Sequence, residues 1–487
     1  MDILLIIVII ISCYSILIFF DLFFKSCAHY PYMQLLDNLG LNVGYFTIKW
    51  KTKAFNRLLI KWGNYRPQFW QFWFDIGTYI SIGFLIVTLL FLILNQVGII
   101  FSKSTENPIV TIEPVIPGVN LPISELGYYS FTLLICSVVH EAGHALAAIL
   151  DDVGIQEFGC NLYVILPVAY TRIPTDKLSA LNLRRQLRIF TAGVWHNILL
   201  SLMGFILFCL LPVLFAPFYH YEMGVNVVKI SKTSPLRDAI KGLLVNDVIT
   251  AINDCPTLTE DDWYNCLNNK TILMPAVCIS SNLVNDHDES VPLRHLGNGY
   301  VECCDSDNKK NLCFEFMEIG NNELELPGHV CLPGRIVMEK TTTFCTATPD
   351  KCPNDYYCFK PLLLNNTYLM KIVSQRVHVI YLGHPNDLVH TIGVSSFIRK
   401  NNLVPLMLPD RITRLVKYLI VISLGVAFVN ILPIIFMDGE YILKTLGLIT
   451  FKGIIQKQRI IHGSNFIVWL SSTILIIYII YSIFLLL

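Results

Sequence analysis

Six apolar segments, each near or above the ~20 residues a helix needs to cross a bilayer, set the architecture of this chain: Ile3–Phe20, Ile76–Phe101, Tyr128–Leu150, Ile189–Phe218, Leu415–Phe436 and Phe466–Leu487. The third carries an interruption that hydrocarbon does not tolerate idly. His140-Glu141-Ala142-Gly143-His144 places three ionisable side chains within five residues of an otherwise apolar and small-residue run. An ionisable group at the centre of a spanning helix costs about 2.5–3.5 kcal/mol on insertion scales, so a cluster of three needs a partner. His140 lies ten residues from Leu150, about 15 Å along a helix, well below the interface.

The pattern HExxH on a helix supplies such a partner. Two imidazoles at i and i+4 share a face and bind one zinc ion, with the glutamate beside the metal as general base. A proton relay, or a histidine pair satisfied by backbone carbonyls, is the alternative. Ala142, Gly143, Ala145, Ala147 and Ala148 keep this helix thin, which lets neighbouring backbones come close.

The rest of the chain is consistent with a membrane enzyme. It has 487 residues, 54% hydrophobic and 15% charged, with 36 basic and 36 acidic side chains, a balance that gives no sign of nucleic-acid binding. Ile3–Phe20 has no preceding basic residue and no following small-residue cleavage site, so it is expected to be a retained anchor. Lysines and arginines near span ends favour the cytosol. Lys25, Lys49, Lys51, Lys53, Arg57, Lys61 and Arg66 follow the first span; Arg172, Lys177, Arg184, Arg185 and Arg188 follow the third; Lys444, Lys452, Lys457 and Arg459 precede the last. The region from about His220 to Arg411 is then expected on the luminal side.

Ten of the fifteen cysteines fall in that region: Cys255, Cys266, Cys278, Cys303, Cys304, Cys313, Cys331, Cys345, Cys352 and Cys358. An even set in an exported region implies disulfides, whose pairing the sequence leaves open. A zinc ribbon competes, without a clean pair of CxxC spacings. Asn269 and Asn365 begin glycosylation sequons on the same side. Asn226–Ile230, Ser234-Pro235-Leu236 and Gly242–Asn253, then a helix over Asp261–Leu267, look like part of a PDZ domain. Tyr368–Ile380 and His390–Phe397 are candidate returning strands around a Cys-rich insertion of about 278–360, and a generic β domain is the alternative.

A catalytic zinc usually takes three protein ligands. Asp438, in Met437-Asp438-Gly439, sits at the cytosolic end of the fifth segment and can approach His140 from the same side; a simple helix-end carboxylate is the alternative. His196 is a weaker candidate. Pro433 is expected to disturb the helix and free the carbonyl of Val429. Gly159–Tyr170, too short to span, is expected to be either an interfacial strand whose edge pairs with an unwound substrate or a plain connecting loop.

Together the intramembrane HExxH, Gly193-Val194-Trp195-His196-Asn197, Asn430-x-x-Pro433 and Asp438-Gly439 resemble the site-2 proteases, intramembrane zinc metalloproteases, over most of the chain. The run Gln186–Phe190 and the Cys-rich luminal insert are most similar to the animal-type members, although Met437 stands where the family usually has leucine. The resemblance implies a polytopic α-helical membrane protein of about six spans with a luminal PDZ-like domain. Its parts would be 1–74 (anchor and cytosolic loop), 75–219 (core with HExxH and GxxxN), 220–411 (luminal) and 412–487 (core with NxxP and DG). His140, His144 and Asp438 would hold one zinc ion, Glu141 would activate water, and Asn197 and Asn430 would orient substrate or stabilise an oxyanion; two helices glued by each asparagine is the alternative. Substrates would be single-span, membrane-anchored precursors, transcription factors among them, already cut on the luminal side, in the endoplasmic reticulum or Golgi. An inactive zinc-binding scaffold, or a metal or proton transporter, are the other readings; no repeated halves favour the transporter.

Overall fold

The structure, a computed structural model, describes residues 3–101, 121–237, 242–269, 273, 276–296, 300–305, 310–317, 327–345, 352–363 and 367–486. Among these, six helices are long and apolar enough to cross a membrane: α1 (Ile3–Ser26), α2 (Pro67–Phe101), α3 (Leu126–Leu150), α4 (Leu183–Phe215), α5 (Leu408–Ile431) and, after the shorter α6 (Asp438–Thr450), α7 (Lys457–Leu486). The apolar segments located these helices, most of which extend past them, α2 back to Pro67 and α7 back to Lys457, while two stop short. The fourth helix stops at Phe215, because Tyr219 opens a strand, and the fifth stops at Ile431 rather than Phe436. Pro433 is the reason for the second shift, since it has no N–H to continue the ladder. The Val429 carbonyl is not left free as expected: the Leu432 N–H takes it at 3.3 Å in a tighter turn.

The chain divides into two compact units, Met1–Cys209 with Thr413–Leu487, and Leu210–Ile412. In the first, the helices are joined by an antiparallel four-stranded sheet, β1 (Leu41–Gly44), β2 (Thr47–Thr52), β3 (Glu157–Tyr163) and β4 (Leu166–Arg172), in that order. The segment after the HExxH helix is therefore a hairpin and not a loop, and its register (Asn161 opposite Val168) leaves β4 at the edge. Pro167 fits only there, because a proline cannot donate to a second neighbour. The Val164 turn has φ of 57° and is fastened by Tyr14 Oη–H to its carbonyl (2.7 Å) and by its own N–H to Phe46 (3.0 Å).

The alanines of α3 are the core of this unit. Ala145, Ala147 and Ala148 are fully buried with Phe158, Ala169, Ile189, Ala192 and Trp195, so the thin face of the helix meets both the sheet and α4. Beyond the end of α3, Asp151 forms an ion pair with Arg188 (3.6 Å), whose other nitrogen reaches Asp75 at 2.9 Å; α2, α3 and α4 are thus tied where their charged ends meet.

The second unit holds an antiparallel six-stranded sheet and a smaller four-stranded one. The larger contains β5 (Tyr219–Ile230) and β6 (Val248–Ile252). The smaller is built from β7 (Val277–Ser280), β8 (Asn311–Phe316), β9 (His329–Pro333) and β10 (Tyr356–Leu362), in the order β9-β8-β10-β7. The chain then returns to the larger sheet through β11 (Tyr368–Ser374), β12 (His378–Gly383) and β13 (Ile392–Arg399), giving β12-β11-β6-β5-β13, with Cys255–Pro256 beside β6. The helix expected over Asp261–Leu267 runs Glu260–Asn268 under a capping box from Thr259 and Asp262, and Trp263 on it is fully buried in the sheet's core. Ser234–Arg237 forms turns. All ten cysteines of the unit pair: 255–266, 278–352, 303–313, 304–331 and 345–358. The implied disulfides are present, and the small β7–β10 sheet owes its stability to them together with a core of Phe314, Leu332 and Phe359.

One ion pair pins the turn before β6. Asp247 is buried and accepts from Arg376 Nε (2.9 Å), Arg376 Nη2 (2.7 Å) and the Leu244 N–H (2.8 Å). Burial alone would raise the Asp247 carboxyl, but Arg376 and the backbone N–H outweigh it and hold it below its ordinary value. A carboxyl depressed in the fold stabilises above its unfolded pKa, about 3.9, and loses that contribution as pH falls through and below it. Because Arg376 is half-exposed, solvent screening trims the effect: Asp247→Asn is expected to destabilise by about 1–2 kcal/mol at neutral pH. Melting temperatures of the two proteins, separated near neutrality, are expected to converge in acid; a constant separation would show that the charge is not what matters.

Candidate metal centre

Three donor atoms converge from helices far apart in sequence. His140 Nε2 and His144 Nε2 lie 3.1 Å apart, and Asp438 Oδ2 lies 3.0 Å from the first and 3.1 Å from the second. Both histidines are buried, in a helix whose surroundings are apolar. Three lone-pair atoms this close repel one another unless a cation or a shared proton sits among them. Ligands at the 2.0–2.1 Å typical of zinc–nitrogen and zinc–oxygen bonds stand about 3.3 Å apart in a tetrahedron, so the triangle is near the size zinc requires. The donor set, two imidazoles and a carboxylate with a fourth position open, also suits it.

The surrounding backbone explains how this proximity is reached. His144 Nδ1 lies 2.7 Å from the carbonyl of Ile189, an acceptor only, so Nδ1 carries the proton and Nε2 presents its lone pair inward. Gly193 of α4 faces both rings: a Cβ there would stand 2.6 Å from His140 Nε2 and closer still to His144 Nε2. Asp438 is the first residue of α6, where the helix N-terminus favours a carboxylate. Gly439 follows because any side chain would collide with the carbonyls of Ile431 and Leu432, the end of α5. The spacing from Pro433 to Asp438-Gly439 thus describes a turn that folds back onto its own helix.

The other candidates take different places. Glu141 is half-buried beside the triangle, and its backbone carbonyl accepts from Thr171 Oγ1 of β4 at 3.2 Å. His196 turns away from the three donors: its Nδ1 bonds the Ala192 carbonyl at 2.8 Å and its ring packs on Phe74. Asn430, half-buried, donates to the Val426 carbonyl one turn back along α5 at 2.9 Å. Asn197 is fully buried, with its side-chain amide 3.3 Å from His140 Nδ1. Asn269 closes the Glu260–Asn268 helix, and Asn365 lies outside the described residues.

Two supports were not anticipated. Ser137, one turn before Glu141, accepts from the Ala169 N–H through Oγ at 3.0 Å, so Ser137 and Glu141 together fasten β4 along α3. Their i,i+4 spacing on the motif helix was the available signal. This strapping uses the outward N–H of Ala169, and Pro167 has none, so outward carbonyls outnumber outward N–H groups along β4. Among the described residues one further cluster of metal-ligating atoms occurs, Cys278, Cys345 and Cys352, but all three sulfurs are committed to disulfides, which sets the zinc ribbon aside.

A family model described as peptidase family M50 matches residues 128–472, more than half of the chain, with His140, Glu141, His144, Asn197, Asn430 and Asp438 all inside the match. A curated protein of Arabidopsis thaliana named membrane-bound transcription factor site-2 protease homolog is 23% identical over 442 residues, covering 81% of this chain and 84% of that one.

The close approach at Gly193 makes a direct prediction. Gly193→Ala drives a methyl group into both imidazoles and is expected to destabilise by about 1–3 kcal/mol and to displace the donors. Gly425→Ala, with open space around it, is the matched control. Melting temperature and bound zinc, measured by mass spectrometry of the purified proteins, are expected to fall in the first and hold in the second.

Proposed function

The chain belongs to peptidase family M50 and is a membrane-embedded protease; from that premise we propose that it is a zinc metalloendopeptidase that cuts within the transmembrane segment of single-span membrane proteins. The observation that carries the proposal is the meeting of Asp438 with His140 and His144, and with Glu141 beside them, where the last three lie on a helix of membrane-spanning length. Those three residues hold one zinc ion, which when bound supplies a Lewis acid for the peptide carbonyl and lowers the pKa of water toward about 7. Glu141 accepts the water's proton and returns it to the departing amine. Its backbone is fixed by Thr171, so the carboxylate works from a braced position.

A spanning substrate helix satisfies all its own backbone hydrogen bonds and must unwind before a peptide bond can be attacked. The outer edge of β4, strapped to the motif helix, offers carbonyls to the N–H groups that unwinding releases. Lysines and arginines flanking α1, α3 and α7 favour a cytosolic end for the site, with the second unit in the lumen, where an oxidising compartment sustains its five disulfides. We assign that unit, a PDZ-like sheet carrying a Cys-rich insertion, to screening substrates by the size of their luminal part. Asn269 and Asn365 are its glycosylation candidates. The substrates are membrane-anchored precursors shortened beforehand, in the endoplasmic reticulum or Golgi; the name of the Arabidopsis relative points to transcription factors.

Two substitutions separate the roles. In Glu141→Gln, cleavage of a membrane-anchored reporter is expected to fall by at least about 100-fold while zinc content stays at that of the parent. In Asp438→Ala, zinc content itself is expected to drop. Unchanged cleavage in the first variant would end the hydrolase reading, and full zinc retention in the second would require another third ligand.

A further inference from the structure

From the surroundings of His140 we infer that Asn197 is a positioning residue for the metal centre: its side-chain oxygen accepts the Nδ1 proton of His140 and so holds Nε2 as a free lone pair. The inference rests on the metal-centre reading above and gives Asn197 a place in it other than substrate contact. Each ligand histidine needs an acceptor behind it, because an imidazole that carries its proton on Nε2 cannot bind a cation there. For His144 the Ile189 carbonyl is that acceptor. For His140 the group behind Nδ1 is the carboxamide of Asn197, 3.3 Å away.

The two faces of a carboxamide are nearly isosteric, and they make opposite demands on the ring. With Nδ2 toward His140, Nδ1 must be an acceptor, the proton moves to Nε2, and it points at His144 Nε2 and Asp438 Oδ2. Asn197 Oδ1 is then buried without a partner. Turned over, Oδ1 accepts Nδ1–H, and the lone pairs of His140 and His144 and the carboxylate of Asp438 all face one point. Only the second arrangement admits a cation.

Asn197 is placed for this task by its own helix contacts. It is wholly buried, so neither solvent nor substrate reaches it in this arrangement. Its backbone carbonyl accepts from Ser423 Oγ at 2.9 Å, and Ser201, one turn later, donates to the Ile420 carbonyl at 3.1 Å. These two bonds lock α4 to α5, the helix that leads to Asp438. The GxxxN spacing thereby has two functions one turn apart: Gly193 makes room for the ligand rings, and Asn197 orients one of them.

The test uses the full-length protein in detergent, with zinc affinity read by competition against a chelator and the site's symmetry read by the visible spectrum after cobalt substitution. Asn197→Asp keeps an acceptor oxygen and is expected to bind zinc within about threefold of the parent, with the parent's cobalt spectrum. Asn197→Ala removes the acceptor and is expected to weaken zinc about 10–100-fold with an altered spectrum, while the metal-free protein melts near the parent's temperature. Parent-like zinc affinity in Asn197→Ala, or a loss in Asn197→Asp equal to that in Asn197→Ala, would overturn the assignment. If Asn197→Ala does not fold, Asn197→Asp decides alone, parent-like binding supporting the inference and lost binding refuting it. A parent protein that holds no zinc would instead refute the metal-centre reading itself.

Discussion

Buried electronegative atoms that face one another are the constraint on which the membrane unit depends. Two imidazole nitrogens and a carboxylate oxygen stand within about 3 Å of each other in an apolar setting. Nothing in hydrocarbon compensates such a group except a charge of opposite sign or a shared proton. The remaining polar features of the unit follow from that need: the Ile189 carbonyl and Asn197 behind the rings, the helix N-terminus at Asp438, and Thr171 at the Glu141 backbone. The first three bear on the donors themselves, and the last holds the backbone of Glu141 beside them.

Proximity of that order requires backbones that approach closely, and small residues supply it at each junction. Gly143 admits the Ala192 carbonyl and His196, Gly193 admits both ligand rings, and Gly439 admits the end of α5. The buried alanines of α3 play the same part toward the sheet. In lipid the hydrophobic effect does not drive helices together, so contact distance and interhelical hydrogen bonds must. The Ser423–Asn197 and Ser201–Ile420 bonds are of that kind, and they connect the GxxxN helix to the helix leading into Asp438. A single geometric solution thus serves both helix association and the assembly of the site.

How much of this was legible in the sequence depended on the range of the interaction. The six helices were, because hydropathy is a local property, and so was the meeting of His140 with His144, one helical turn apart. The end of α5 at Ile431 was not, because Pro433 stops a helix two residues before itself while the apolar run continues to Phe436. The pairing of β2 with β3 escaped as well: Trp50 opposite Cys160 is a contact across two spanning helices, and an apolar strand of six or seven residues resembles an interfacial loop in composition. The disulfide partners were equally out of reach, since ten cysteines admit many pairings and even strand neighbours do not decide them: Cys313 stands opposite Cys331 and Cys358 opposite Cys278, yet each bonds a different cysteine. Asn197 was visible as a residue but not in its direction, because a polar side chain in a helix has the same spelling whether it faces a substrate or a ligand ring.

The edge strand shows how stability and access are reconciled in one element. A free edge in a membrane exposes unpaired backbone groups, which hydrocarbon penalises, and most proteins cover or blunt such an edge. Here β4 is blunted on one side of its hydrogen-bonding inventory: Pro167 has no N–H, and that of Ala169 is committed to Ser137. Carbonyls then outnumber N–H groups along that edge, and such an edge is selective, since it suits a chain that has N–H groups to spare. An intact helix has none outside its first turn. In the proposed reaction, a strand edge of this kind, two residues from the backbone contact that braces Glu141, favours an unwound segment over a helical one without any side-chain recognition. Selection by backbone state rather than by sequence is what cleavage inside a bilayer calls for, where every candidate substrate is similarly apolar.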